Sequence, residues 1–139
     1  MLVEWTDEDL KRGQILDPGF YRLRVEGMTE KLAKSQKSTN VLMRFIVIKN
    51  ADTGEDEECA GVPVTFNFNS LMGSNTKNFA AAIAENEGEI PVSGGRFQLN
   101  DVLVGREVEA FIGHRTQENG QVQNDVTAMF RKVDAAVEA

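Results

Sequence analysis

Lys31, Lys34 and Lys37 recur every three residues in a polar stretch that also holds Ser35, Ser38, Thr39 and Asn40. Arg22 and Arg24 precede them and Arg44 follows. Cations gathered like this hold phosphates, because each phosphate they neutralise releases condensed counterions. Residues 20–50 carry seven bases against two acids, a net of +5, in a 139-residue chain whose formal net charge is −7. All other residues together therefore sum to −12. A chain this acidic will not coat nucleic acid with its whole surface. Confining its positive charge to one segment points instead to a local site for a polyanion.

Other chemistries find little support. Cys59 and His114 are the only cysteine and the only histidine. They allow no internal disulfide and no structural zinc site, and a single histidine for any triad. A lone cysteine suits a reducing compartment. The chain has no Gly-rich phosphate loop, nucleophile elbow or paired acids at metal spacing, so a non-catalytic protein without metal or cofactor is expected. The four acids at 55–58 would alternate between the two sides of a strand. They read as a solvated hairpin end. No apolar run reaches the roughly 18 residues of a membrane span. The acidic opening MLVEWTDEDL is unlike a signal peptide. Cytoplasmic location without membrane association is expected.

The elements that must position the cations follow from periodicity. Residues 1–15 form an N-terminal arm with a short helix: Thr6 and Asp9 have capping-box spacing, and Trp5 and Leu10 stand at hydrophobic-staple positions. Trp5 is expected to dock the arm on the domain, with base stacking as its lesser alternative. Asp17-Pro18-Gly19 is a turn. Tyr21, Leu23 and Val25 then alternate with Arg22, Arg24 and Glu26, and Val41, Met43, Phe45 and Val47 make a second strand. A turn at residues 50–54 leads on toward a third, with Val62, Val64, Phe66 and Phe68 inward and Thr65, Asn67 and Asn69 outward. Pro63 places that strand at an edge or begins it. Residues 75–87 read as a helix, with Phe79 and Ile83 on one face and Gly88 as its stop. Leu71 and Met72 join these two as the plug of the core, and Phe97 and Leu99 are expected to tuck in from the connection at 88–101. Val108, Ala110 and Ile112 belong to a fourth strand, and Val126, Ala128 and Phe130 to a fifth. The loop from His114 through Asn119-Gly120 is a hairpin signal between them.

Five short strands with one helix between the third and fourth is the order of an OB-fold: an all-β, five-stranded Greek-key barrel. It would occupy residues 16–133, followed by a short tail at 134–139. Such a barrel takes ligands across strands 2 and 3, between the loops joining strands 1–2 and 4–5. Arg22, Arg24, Lys31, Lys34, Lys37 and Arg44 then serve as phosphate cations. Thr65 and Asn67 offer polar contacts from strand 3, and His114 and Arg115 form the opposite bank. Single strands also need flat surfaces for unstacked bases. Phe111, on the face shared with Glu107 and Glu109, is the candidate; packing beneath a loop or the helix is its competing role.

The chain resembles the small OB-fold proteins of phages and prophages related to single-stranded DNA-binding proteins. The matching residues are Pro18-Gly19-Phe20-Tyr21 and Lys34-Ser35-Gln36-Lys37-Ser38 leading to Val41-Leu42-Met43-Arg44-Phe45. Leu103-Val104-Gly105-Arg106-Glu107-Val108 and the closing stretch from Asn119 to Val126 also match, so that the resemblance covers about residues 17–131. It implies sequence-tolerant binding of single-stranded DNA in phage replication or recombination, inside a bacterial host. Phage or host replication and recombination proteins, and further copies of the chain, are the partners expected beside the DNA. Unlike many single-stranded DNA-binding proteins, the chain lacks a strongly acidic C-terminal tail. The alternative is an acidic phage protein that docks on or inhibits a host protein, or mimics nucleic acid, through the carboxylates at 52–58 with Glu85, Glu87 and Glu89.

Overall fold

The computed structural model describes residues 1–32, 38–69, 73–87, 92–93, 96–97 and 103–133. Its elements are α1 (Asp7–Arg12), β1 (Gly19–Leu32), β2 (Thr39–Asn50), β3 (Pro63–Asn69), α2 (Gly73–Glu87), β4 (Val92–Ser93), β5 (Arg96–Phe97), β6 (Glu107–Thr116) and β7 (Val122–Arg131). Five long strands make one antiparallel sheet in the order β3-β2-β1-β6-β7. The sheet curls into a half-barrel, so the protein is mainly β with few helices. β4 and β5 pair as a separate two-stranded ribbon inside the connection at 88–101, which periodicity alone did not reveal.

Alternation dictates the core. Tyr21, Leu23 and Val25 of β1, Met43, Phe45 and Val47 of β2, and Val64 and Phe68 of β3 point inward and are buried. Val108, Ala110 and Ile112 of β6 and Val126 and Phe130 of β7 face them. Phe79 of α2 is fully buried at the centre. Its ring meets Phe68 at 5.1 Å and Phe130 at 5.2 Å between centroids, and Phe130 also meets Phe66 at 5.2 Å. These rings draw the two edge strands, β3 and β7, toward each other beneath α2. Edge-to-face pairs contribute about 0.5–1.5 kcal/mol each beyond burial. Of the other plug residues, Leu71, Met72 and Leu99 lie outside the described residues, as do the side chains of Ile83 and Phe97.

β3 starts at Pro63 and is an edge strand, as a proline without a ladder donor requires. The turn at Asn50 is closed by its own side chain, whose Oδ1 accepts from the backbone N–H groups of Asp52 and Thr53. Gly120, at φ 85°, turns the β6–β7 hairpin. Both of that hairpin's strands run longer than expected, so His114 and Arg115 belong to β6 and not to the loop.

The N-terminal arm differs in its anchor. Thr6 caps α1 reciprocally with Asp9, as the capping box predicts. Trp5 is nevertheless 65% exposed and Leu10 58% exposed, so Trp5 does not dock the arm. Leu16 does, at 4% exposure. Its backbone N–H donates to Asn124 Oδ1 at 2.9 Å, and Asn124 Nδ2 donates to the Gln14 carbonyl at 2.9 Å.

Candidate nucleic-acid interface

Two irregularities in β1 decide which side chains share its outer face. Against β2 the register shifts between Arg22 and Leu23 and again between Val25 and Gly27. At the second, Val25 pairs with Phe45 and Gly27 with Arg44, leaving Glu26 as the extra residue. A bulge of this kind inverts the alternation beyond it. Thr29 and Lys31 therefore join Arg24 on the outer side, while Met28 packs against the core.

The registers of β1, β2 and β3 then set side chains in four rows across the outer face. Arg24, Ile46 and Pro63 form the first, and Gly27, Arg44 and Thr65 the second. Thr29, Leu42 and Asn67 follow, then Lys31, Asn40 and Asn69. None of the twelve is acidic or aromatic. Glu26, at the bulge, is the carboxylate that intrudes, bonded to Arg24 Nε at 3.1 Å. An amide cluster closes the far end: Asn67 and Asn69 both donate to Asn40 Oδ1, at 3.2 and 2.6 Å. Lys31 and Arg44 have no carboxylate partner among the described residues. Lys34 and Lys37 lie outside those residues.

Arg44 is held in a defined place. Its Nη1 donates to Thr29 Oγ1 at 2.8 Å. Its guanidinium lies against the bare Cα of Gly27, where an added Cβ would come within 2.5 Å of Nη2 and 3.4 Å of Cζ. The residue remains exposed to solvent.

The outer face of the other half of the sheet is already occupied by internal contacts. Arg22 is only 6% exposed, and its Nε lies 3.8 Å from Glu107 Oε1. It stands opposite Glu109 in the β1–β6 register, and Glu109 stands opposite Arg131 in the β6–β7 register. Arg131 Nε donates to Glu109 at 2.7 Å, and the Arg131 guanidinium sits 3.7 Å over the ring of Phe20. Phe20 in turn packs edge-on against Phe111 at 5.4 Å. Arg22 and Phe111 are thus drawn into a fixed network on this face, Phe111 in the packing role. The sequence signal that could have shown this was the opposed charge of Arg22 and Arg24 against Glu107 and Glu109.

His114 and Arg115 lie elsewhere again. β1 begins at Gly19, opposite Ile112, so β6 residues past Ile112 extend beyond the start of β1. Lys31 is near the other end of the same strand. The register alone therefore sets the two expected banks at opposite ends of β1. His114 Nε2 donates to the Leu16 carbonyl at 2.6 Å and so holds the arm. Arg115 is exposed opposite Gln123 on β7. Of the candidate residues, Arg24, Lys31, Arg44, Thr65 and Asn67 come together on one face.

An acidic cleft of about 560 Å³ lies between the arm and the turn at 55–59. Asp17, Glu55, Asp56, Glu57 and Glu58 line it, with Tyr21 and Cys59 at its base. No cluster among the described residues has the geometry to hold a metal ion. No described helix is long and apolar enough to cross a membrane. Comparison with family models and with curated proteins finds no match to this chain.

Proposed function

We propose that the half-barrel is an OB-fold and that the chain is a non-catalytic, sequence-tolerant single-stranded DNA-binding protein of phage replication or recombination. The strand order, with α2 between the third and fourth long strands, supports the fold. One observation carries the function. A protein of net charge −7 presents a face with Arg24, Lys31 and Arg44 among threonines and asparagines, with Glu26 as the carboxylate set among them in the described residues. Phosphates bind the cations, and the amides of Asn40, Asn67 and Asn69 suit contacts to sugar or base edges. Lys34 and Lys37 extend the same charge in sequence. Arg22, Phe111 and His114 act in this reading as scaffold.

Titration of labelled oligo-dT at several salt concentrations tests the proposal. Three engaged phosphates give a slope of log K against log salt near −2, at about −0.7 per phosphate. Replacing Lys31 and Arg44 together by Glu should remove most of the affinity. A parent protein that does not bind oligo-dT at low salt would falsify the reading.

The acidic cleft favours a second reading, a protein that docks on a basic segment of a host protein. The exposed carboxylates at 55–58 are its working surface. Glu89 and the side chains of Glu85 and Glu87 lie outside the described residues. Capture of a host protein that survives nuclease but is lost on replacing the acids at 55–58 by Gln would favour this over DNA binding.

A further inference from the structure

The DNA-binding reading leaves one requirement unmet: the outer face of β1, β2 and β3 has cations but no aromatic ring in any of its four rows. Phe45, Phe66, Phe68, Phe79 and Phe130 contact one another in the core, and Phe20 and Phe111 contact each other beneath Arg131. Unstacked bases need a flat partner, and a guanidinium plane serves where no ring does. Arg44 carries the planar group nearest the middle of this face. The bulge brings Gly27 opposite it, and the missing Cβ leaves room for the guanidinium against the strand. Thr29 fixes one edge through Nη1.

We propose that Arg44 is the base-stacking residue of this face and that Gly27 is the residue that seats it. The inference rests on the single-stranded DNA reading and narrows it. On this reading Arg44 holds one unstacked base in place of a phosphate, and the neighbouring phosphates lie on Lys31 and Arg24. Duplex DNA, whose bases are already stacked, lacks that contact and binds more weakly at equal charge. Gly27 is not in the left-handed backbone region, so alanine fits its backbone and only the far end of a flexible side chain must move.

The test separates plane from charge. Binding of labelled oligo-dT is compared with binding of an abasic deoxyribose-phosphate strand of equal length, using the parent, Arg44→Lys and Gly27→Ala. Both substitutions leave the net charge unchanged. Each should weaken oligo-dT binding about tenfold or more while changing abasic-strand binding by less than about twofold. Thermal unfolding confirms that each variant is folded, and Arg44→Lys alone decides the matter should Gly27→Ala not fold. Equal binding of oligo-dT by Arg44→Lys and parent overturns the inference, leaving Arg44 a phosphate contact. Equal losses on both strands also overturn it, since the lost contact is then to the backbone. A parent that binds neither strand removes the functional reading itself, and this inference with it.

Discussion

Glu109 and Arg131 face each other across the β6–β7 ladder, and the carboxylate is 1% exposed although it lies on the outer side of the sheet. Arg131 covers it, reaching Phe20 with its guanidinium and Asp52 with Nη2 at 3.6 Å. The arrangement ties β6, β7, the start of β1 and the turn after β2 into one unit. A buried carboxylate that loses one of its partners keeps its desolvation cost with less compensating attraction. Arg131→Ala should therefore destabilise the protein by about 3 kcal/mol. The double replacement Glu109→Leu with Arg131→Met should recover part of that, because the buried carboxylate goes together with Arg131 while buried Arg22 keeps Glu107 beside it. Urea unfolding of the three variants measures both. A double variant less stable than Arg131→Ala would show that the pair contributes more than it costs.

Much of this architecture can be read from residue order. Alternation placed Tyr21, Leu23, Met43, Phe45 and Val64 inward, Pro63 marked an edge, and Asn119-Gly120 marked a hairpin, because each signal is local. The bulge at Glu26 is not local. It appears only when β1 is paired with β2, and it changes which side of the sheet Thr29 and Lys31 occupy. Net charge in a segment likewise could not tell Arg22 from Arg44. Both are arginines on β-strands, yet one lies beside Glu107 and the other over a glycine. Trp5 misled for a related reason. Its size suggests an anchor, whereas the arm is fixed by the smaller Leu16 and by the backbone groups around it, which the Asn124 and His114 side chains bind.

That fixation gives a second prediction. Asn124 satisfies the Leu16 N–H and the Gln14 carbonyl at once, and His114 takes the Leu16 carbonyl. Removing Asn124 leaves two part-buried backbone groups without partners, at a cost of about 1–3 kcal/mol. Asn124→Ala should free the arm, seen as faster proteolysis within residues 1–15. His114→Ala should do the same while leaving oligo-dT affinity close to that of the parent. Should His114→Ala lose affinity by tenfold with the arm still protected, His114 belongs to the binding surface after all.

The third prediction concerns alkaline conditions. Burial pushes the Tyr21 hydroxyl above its usual value near 10.0, with the nearby Cys59 and Asp17 adding to the shift. Burial likewise pushes the Cys59 thiol above its usual 9.0. The Tyr21 hydroxyl donates to the Asp17 carbonyl at 2.7 Å and needs its proton to do so. In both cases the folded chain holds the proton more tightly than the unfolded chain. Unfolding therefore releases protons at high pH, and stability falls as pH rises. The contribution is intact below the unfolded values and is lost as pH climbs past about 9 through the raised folded values. The urea midpoint should be flat across neutral pH and decline from about pH 9 upward, with Cys59→Ala showing a shallower decline that begins later. Thiol reagents should modify Cys59 only as fast as the protein opens, since its thiol is both buried and protonated. Rapid labelling in native buffer, or an alkaline decline identical in Cys59→Ala and parent, would place the thiol in solvent and remove it from the linkage.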